Sequence, residues 1–386
     1  MHSRTLYTLV ALSLTVLVTA GSASAGPSSK TRRLVCNAWT PVPSPSPGSV
    51  SVLQDVADAG KHVAWAVGTT REEAGPVKTL IEQWDGSSWT VRPSPSPGDE
   101  ENELRSIDAL SPADAWAVGV FYSSDYDGEQ PLVEHWDGTA WATVDVPAPW
   151  PAYFNDVDAI SANDVWVVGT FNPPDDISFP LTEHWDGTAW TIVGAPLQDG
   201  PTVLTGVSAV SSTDIWAVGY TYTQDYFYPE HPVTEHWDGA AWSIVPSPSP
   251  GSTSELVDVD TVDADHVWAI GNSDAGFFGL RWDGVGWSLS PISQDLYTLK
   301  DLAATGPNTV WAVGWRYDIN GASRASAVRR SFQGWRPTPG RSPAGTGFYG
   351  IDAVSPTRLW AVGFFGSRTL VEEFVSCRAS PRRSGV

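Results

Sequence analysis

Residues 114–141 read DAWAVGVFYSSDYDGEQPLVEHWDGTAW, and two short words within them, Trp116-Ala117-Val118-Gly119 and Trp136-Asp137-Gly138, recur along the chain. The first word or a near variant begins at Trp65, Trp116, Trp166, Trp216, Trp268, Trp311 and Trp360, at intervals of 51, 50, 50, 52, 43 and 49 residues. A unit repeated at that period is one supersecondary element stacked many times. In the second copy Leu104 to Ser111 alternates and ends in a Ser-Pro-Ala-Asp turn, Ala115 to Tyr122 is a β-rich run, and Leu132 to Trp136 is a third. Asp137-Gly138 is a hairpin signal leading to a fourth strand at Trp141. Four antiparallel strands make a propeller blade, so the chain is predicted to be all-β, a seven-bladed β-propeller.

Third-strand ends repeat as W-D-G at Trp84, Trp136, Trp185, Trp237 and Trp282, then degrade to Phe332-Gln333-Gly334 and to Phe374. Fourth-strand tryptophans stand at Trp89, Trp141, Trp190, Trp242, Trp287 and Trp335, and no tryptophan follows Phe374. The missing strand lies at the other end. Trp39-Thr40 followed by Pro43-Ser44-Pro45-Ser46-Pro47-Gly48 copies Trp89-Thr90 followed by Pro93-Ser94-Pro95-Ser96-Pro97-Gly98. The N-terminal strand is therefore expected to complete the last blade. Cys36 lies three residues before Trp39 and Cys377 three after Phe374, at the same turn, so the only two cysteines meet at the seam. In an oxidising compartment they should form a disulfide.

Arg4 precedes an apolar run from Leu6 to Val18, followed by Ala23-Ser24-Ala25, the pattern of a secretory signal peptide. The expected division is a signal peptide over 1–25, a flexible segment over 26–34, the propeller over 35–377 and a basic flexible tail over 378–386, in a secreted, extracellular product. No later stretch approaches the roughly eighteen apolar residues of a membrane span. Acidic residues number 44 against 22 basic ones, a formal charge of −22. That field repels phosphate backbones and argues against nucleic acid as a partner. Seven histidines and one methionine leave few soft metal ligands, while 21 tryptophans, 35 glycines and 31 prolines suit short strands and many turns. A monomer without a cofactor is expected.

The W-A-V-G and W-D-G units resemble the repeats of secreted bacterial β-propellers grouped with the kelch and galactose-oxidase-like superfamily. The D-G-x-x-W stretch is similar to the Asp-box of sialidase-type propellers, and W-A-V-G to repeats of the photosystem II assembly-factor propellers. The Gly-Gly pair of kelch blades and the Gly-His pair of WD-repeat blades are absent, as is a sialidase-like arginine triad. With both cysteines at the seam, no thiol is left for a thioether-linked copper centre of the galactose oxidase kind. What the resemblance implies is architecture; function has to be argued from sites.

A tryptophan that recurs in nearly every blade is explained by what every blade needs, packing between neighbouring sheets. Trp150 and Trp315 stand outside that repeat. His135, His184 and His236 share one repeat position, but packed sheets lie about 10 Å apart, too far for equivalent side chains to hold one ion. They are read as blade-packing polar residues.

Function is sought where the blades differ. Loops between second and third strands carry aromatics beside carboxylates: Asp125, Tyr126 and Asp127 in one, Asp175 and Asp176 in the next, Asp225, Tyr226, Phe227 and Tyr228 in a third, Trp315 and Tyr317 in a fourth. That mixture suits a glycan or an extended peptide, and equally suits aromatics that only pin long loops. Asp125-x-Asp127-Gly128-Glu129 and Asp318-x-Asn320-Gly321 have fragments of calcium-loop spacing and are equally ordinary turn formers, so calcium is the one cofactor left open. Residues entering the innermost strand, Gln54, Arg105, Asn155, Thr205, Val257, Lys300 and Tyr349, should ring the mouth of the central channel on the same face, where their variation fits a ligand without sevenfold symmetry and equally fits drift at an exposed position. The binding set expected from the sequence is therefore Arg105, Asp125, Tyr126, Asp127, Trp150, Asn155, Asp176, Tyr226, Lys300, Trp315, Tyr317 and Tyr349. It belongs to a binding or scaffold propeller whose partner is a carbohydrate or an extracellular protein. No nucleophile, base or cofactor motif stands out. The alternatives are a purely structural assembly factor and a glycan-processing hydrolase or lyase using loop carboxylates such as Asp127 and Asp176, which would have to stand about 5–10 Å apart.

Overall fold

The computed structural model describes residues 36–125, 128–149, 151–173, 177–198, 200–223, 229–292, 298–338 and 342–377. They form seven four-stranded antiparallel sheets and no helix. Blade 2 shows the plan: Glu101–Ser111, Asp114–Tyr122, Gln130–Trp136 and Trp141–Thr143, in chain order from the axis outward. The first strands of all seven blades stand side by side around the axis and close into a ring. The W-D-G hairpins form as their sequence requires. In blade 2 the Asp137 carboxylate accepts the N–H groups of Thr139 and Ala140 at 2.8 and 3.0 Å, while Gly138 takes a left-handed φ of 90°.

Blade 7 has strands Thr346–Ser355, Arg358–Phe365 and Arg368–Val375, and takes its fourth, Trp39–Pro41, from the N-terminal side. Trp39, Thr40 and Pro41 pair with Phe374, Glu373 and Glu372. Beside that seam Cys36 and Cys377 are joined, their Cα atoms 5.3 Å apart across a sequence separation of 341. Both halves of the seam expectation therefore hold.

The core consists of seven clusters, each between two blades. The W-A-V-G tryptophan of one blade buries itself against the next: Trp65 lies 5.0 Å from Trp136 and 5.3 Å from Trp141, ring centre to ring centre. Trp116 meets Trp185 and Trp190 in the same way. Trp136, Trp185, Trp237 and Trp282 depart from the uniform-core expectation. Each is only partly buried and donates its indole N–H at 3.1–3.2 Å to a carbonyl of the preceding turn, at Pro112, Ala162, Ser212 and Ala264. An indole with one apolar and one wet side suits that sheet edge.

The shared histidine position has a packing role. His135 stacks on Trp116 at 4.1 Å and its Nε2 lies 2.8 Å from Asp114; His184 with Asp164 and His236 with Asp214 repeat the contact. Blades 5 and 6 place Arg281 and Arg329 over Trp268 and Trp311 instead.

Candidate functional site

In every blade the pairing of first and second strands slips by one residue at the same place. In blade 2, Leu104 pairs with Gly119 and Ser106 with Val118, which leaves Arg105 as the extra residue of a β-bulge. The extra residues elsewhere are Gln54, Asn155, Thr205, Val257, Lys300 and Tyr349. The glycine of W-A-V-G sits opposite each bulge. A Cβ on Gly68, Gly119, Gly169, Gly219, Gly271, Gly314 or Gly363 would stand 1.9–2.2 Å from a first-strand carbonyl oxygen, closer than any contact allows. The repeated glycine is thus the condition for the bulge. The bulge in turn re-aims one side chain per blade.

Those seven side chains line a bowl of about 560 Å³ at the mouth of the channel. On the side of blades 2 and 3, the Arg105 guanidinium donates to Glu103 at 3.1 Å and to Asn155 at 3.0 Å and lies 4.7 Å from the centre of the Tyr153 ring. Glu103 also accepts from Gln54 at 3.1 Å, and Asn155 donates to the Leu204 carbonyl at 2.7 Å. On the side of blades 6 and 7, the Lys300 ammonium lies 5.5 Å from the Trp315 ring and 5.9 Å from that of Tyr349. Trp315 meets Tyr349 and Phe364 edge to face at 5.4 and 6.0 Å, and Tyr349 and Phe364 lie tilted at 5.4 Å. They close over the bare backbone of Gly347, where a Cβ would stand 2.4 Å from Phe364 and 3.2 Å from Trp315. Lys300 is open to solvent through the mouth, yet the surrounding wall dehydrates its ammonium and lowers its pKa, with Glu255 opposing that shift. Burial raises the phenols of Tyr153 and Tyr349.

Of the residues expected to bind, Arg105, Asn155, Lys300 and Tyr349 come together in this bowl, with Trp315 standing behind Tyr349. Asp125 does not join them: it lies on an exposed turn, its N–H 3.4 Å from Ser123 Oγ. Tyr317, half exposed, stands outside the lining too. Tyr126, Asp127, Trp150, Asp176 and Tyr226 lie outside the described residues. Asp318 is occupied as a turn cap: its carboxylate accepts the N–H groups of Asn320 and Ala322 and pairs with Arg324 at 2.8 Å, so the calcium-loop spacing there serves a turn. The bowl also contains Glu103, Tyr153, Val203 and Glu255, which the sequence analysis missed. Each stands two residues before a bulge residue, and strand periodicity alone places it on the same face. Glu129 joins from a loop, held by the Tyr122 hydroxyl at 2.6 Å and by Asn172 at 3.3 Å.

Below the bowl the channel narrows between eight aspartates in two tiers: Asp55, Asp156, Asp258 and Asp301 above, Asp108, Asp158, Asp260 and Asp352 beneath. Each accepts a backbone N–H from the next blade. Asp55 takes Ile107, Asp108 takes Ala159, Asp156 takes Val207, Asp158 takes Ala209, Asp258 takes Leu302, Asp260 takes Ala304, Asp301 takes Ile351 and Asp352 takes Asp58, at 2.6–3.0 Å. Ser208 receives Thr261 at 3.1 Å where blades 4 and 5 meet, so every blade boundary is bridged. Burial raises all eight carboxyls, Asp156 and Asp260 to about 7 and Asp352 to about 6, and like-charged neighbours add to most of the shifts. Among the described residues no three His, Cys, Asp or Glu side chains form a metal-binding group, and no helix is long and apolar enough to cross a membrane.

No family model and no curated protein matches the chain. Solved propellers match it in shape. A structure described as YCF48 bound to D1 peptide superposes with a TM-score of 0.56 at 16% identity, covering 89% of this chain and 99% of the other. YCF48 from Cyanidioschyzon merolae gives 0.57 at 16%, covering 87% and 98%. U3-55K gives 0.56 at 9%, covering 87% and 98%. At such identities the likeness is one of fold: the chain is a seven-bladed β-propeller similar in architecture to these proteins.

Proposed function

We propose that this chain is a non-catalytic binding propeller, secreted into an oxidising compartment, whose channel mouth takes an extended segment of another protein. The observation that carries this is the contrast between a glycine-enforced bulge repeated in all seven blades and the seven different side chains it presents in one bowl. A partner without sevenfold symmetry is met by such a set. Polar anchors beside tyrosine faces match the peptide groups and side chains of an extended strand. The YCF48 structure described with a D1 peptide supports a peptide partner for a propeller of this architecture. The Cys36–Cys377 bond supports the compartment.

The test is selection of 12-residue peptides from a displayed library on the purified protein, in parallel with a glycan array. Enriched peptides whose binding falls about tenfold or more on Asn155→Ala or Tyr349→Ala, a loss of about 1.4 kcal/mol or more, support the assignment. Peptides that ignore both substitutions, or a protein that binds only glycans, would overturn it.

A further inference from the structure

One charged group at the mouth has no hydrogen-bond partner among the described residues. Glu103 accepts from Gln54 and Arg105, Glu129 from Tyr122 and Asn172, and Glu255 from Asn272 at 2.8 Å. Arg105 is held by Glu103, Asn155 and the Tyr153 face. The Lys300 ammonium has aromatic faces beside it, and Glu255 acts on it from beyond ion-pair distance. Among the described residues no carboxylate, carbonyl or hydroxyl oxygen lies within hydrogen-bond or ion-pair reach of its ammonium.

An ammonium carries three donors and no acceptor. Here two rings flank the group and its open side is the bowl. The rings attract the cation weakly and accept no conventional hydrogen bond, so the complement left vacant is an anionic oxygen acceptor with an apolar neighbour against Trp315 and Tyr349. The aromatic wall is fixed in advance by Gly347, which keeps the cost of ordering the pocket low.

We propose that Lys300 is a carboxylate anchor, which receives an Asp, Glu or C-terminal carboxylate of the bound polypeptide while Trp315 and Tyr349 cover the adjoining apolar atoms. This rests on the peptide-binding assignment above and narrows it to acidic or C-terminal segments. A phosphate or sulfate ester is less well matched, because a single lysine supplies one positive charge and no bidentate fork.

Two measurements separate this inference from its parent. The first uses benzoate and benzamide as probes, followed by NMR of the Trp315 indole N–H. Benzoate should shift that signal in the millimolar range and benzamide should not, and Lys300→Met should abolish the response while Lys300→Arg keeps it. Equal responses to the two probes, or an unchanged benzoate response in Lys300→Met, would sink the anchor whatever peptides do. The second uses selected peptides made in pairs, carboxylate against amide at each acidic position and at the C-terminus. One exchange should weaken binding about ten- to hundredfold, the scale of one charge-assisted hydrogen bond, and the difference should vanish in Lys300→Met. Peptides that bind equally well in every paired form would also overturn the anchor while leaving the peptide-binding assignment standing. Oligogalacturonate that displaces benzoate where peptides do not would keep the anchor and remove the peptide.

Discussion

Gly119 faces Glu103 across the bulge of blade 2 so closely that a Cβ on Gly119 would stand 2.0 Å from the Glu103 carbonyl oxygen. The same approach recurs in all seven blades. It ties the most repetitive feature of the sequence to the least repetitive part of the surface.

Gly119→Ala should therefore be severe. The first and second strands cannot separate without losing ladder bonds, so we expect a loss of about 3 kcal/mol or more in urea unfolding, at the upper end for overpacking. Gly306→Ala is the control: nothing lies within 4 Å of the added carbon, and its effect should stay within about 0.5 kcal/mol. Equal stability of the two variants would show that the bulge does not depend on the glycine.

The aspartate bridges make a second expectation. Asp301 accepts the N–H groups of Leu302 and Ile351, both at 2.6 Å, and thereby joins blades 6 and 7. Asp301→Ala orphans the buried Ile351 donor, at about 1–3 kcal/mol, while the Leu302 N–H keeps Asp258 as its acceptor at 2.9 Å. Its thermal midpoint should fall accordingly, with loss of hydrogen-exchange protection at Ile351. Asp301→Asn keeps one acceptor and should fall by less. An alanine variant as stable as the parent would remove the bridges from the account of ring closure.

The pH dependence follows from the same buried acids. Five further carboxyls, Glu82, Glu134, Glu183, Glu235 and Glu372, are almost fully buried at one third-strand position, and burial lifts Glu82, Glu183 and Glu235 to about 8 and Glu372 to about 7. Because their folded values lie above the unfolded ones, these groups and the channel aspartates favour folding fully only below about pH 4, and that contribution is lost as pH rises through 6 to 8. The turn aspartates Asp85, Asp137 and Asp186, lowered to about 2 chiefly by side-chain hydroxyl donors, oppose this only in strong acid. Urea midpoints should accordingly be highest near pH 4–5 and decline steadily to pH 9. Blades 5 and 6 carry Leu280 and Val328 where blade 3 has Glu183. Glu183→Leu should flatten the profile and raise the midpoint at pH 8; an unchanged slope would show that Glu183 does not titrate in that window.

The ring, its seam and the mouth residues were legible because they are written in periodicity: Trp116 and its six counterparts set the blade count, and Trp39 with Cys36 supplied the closure. The bulge was not legible as such. Its sign is a glycine whose need appears only when the carbonyl of Glu103 is placed across from it. Glu103 and Glu255 were missed because attention to the variable residues stopped at one per blade, although the residue two positions earlier faces the same way. Asp318 misled for a physical reason, since a carboxylate capping Asn320 and Ala322 uses the same alternate spacing as a calcium loop.

The seam is where a blade takes its fourth strand from the far end of the chain. Trp39–Pro41 pair with the outer edge of blade 7, Asn37 donates to the Val375 carbonyl at 2.8 Å, and Trp39 is buried among Trp311, Phe348 and Phe374. The Cys36–Cys377 bond spans 341 residues, for which the loop-closure relation gives about 5–6 kcal/mol. Cys36→Ser with Cys377→Ser should therefore lower unfolding stability by several kcal/mol, as should reduction of the parent protein. Protection of the Val42 amide, which donates to the Val371 carbonyl at 2.8 Å beside the seam, should be lost before that of the Trp116 or Trp166 strands, because those stay enclosed by neighbours on both sides. Midpoints that are identical with and without the bond would mean that the buried Trp39 and the Asp352 bridge to Asp58 already close the ring unaided.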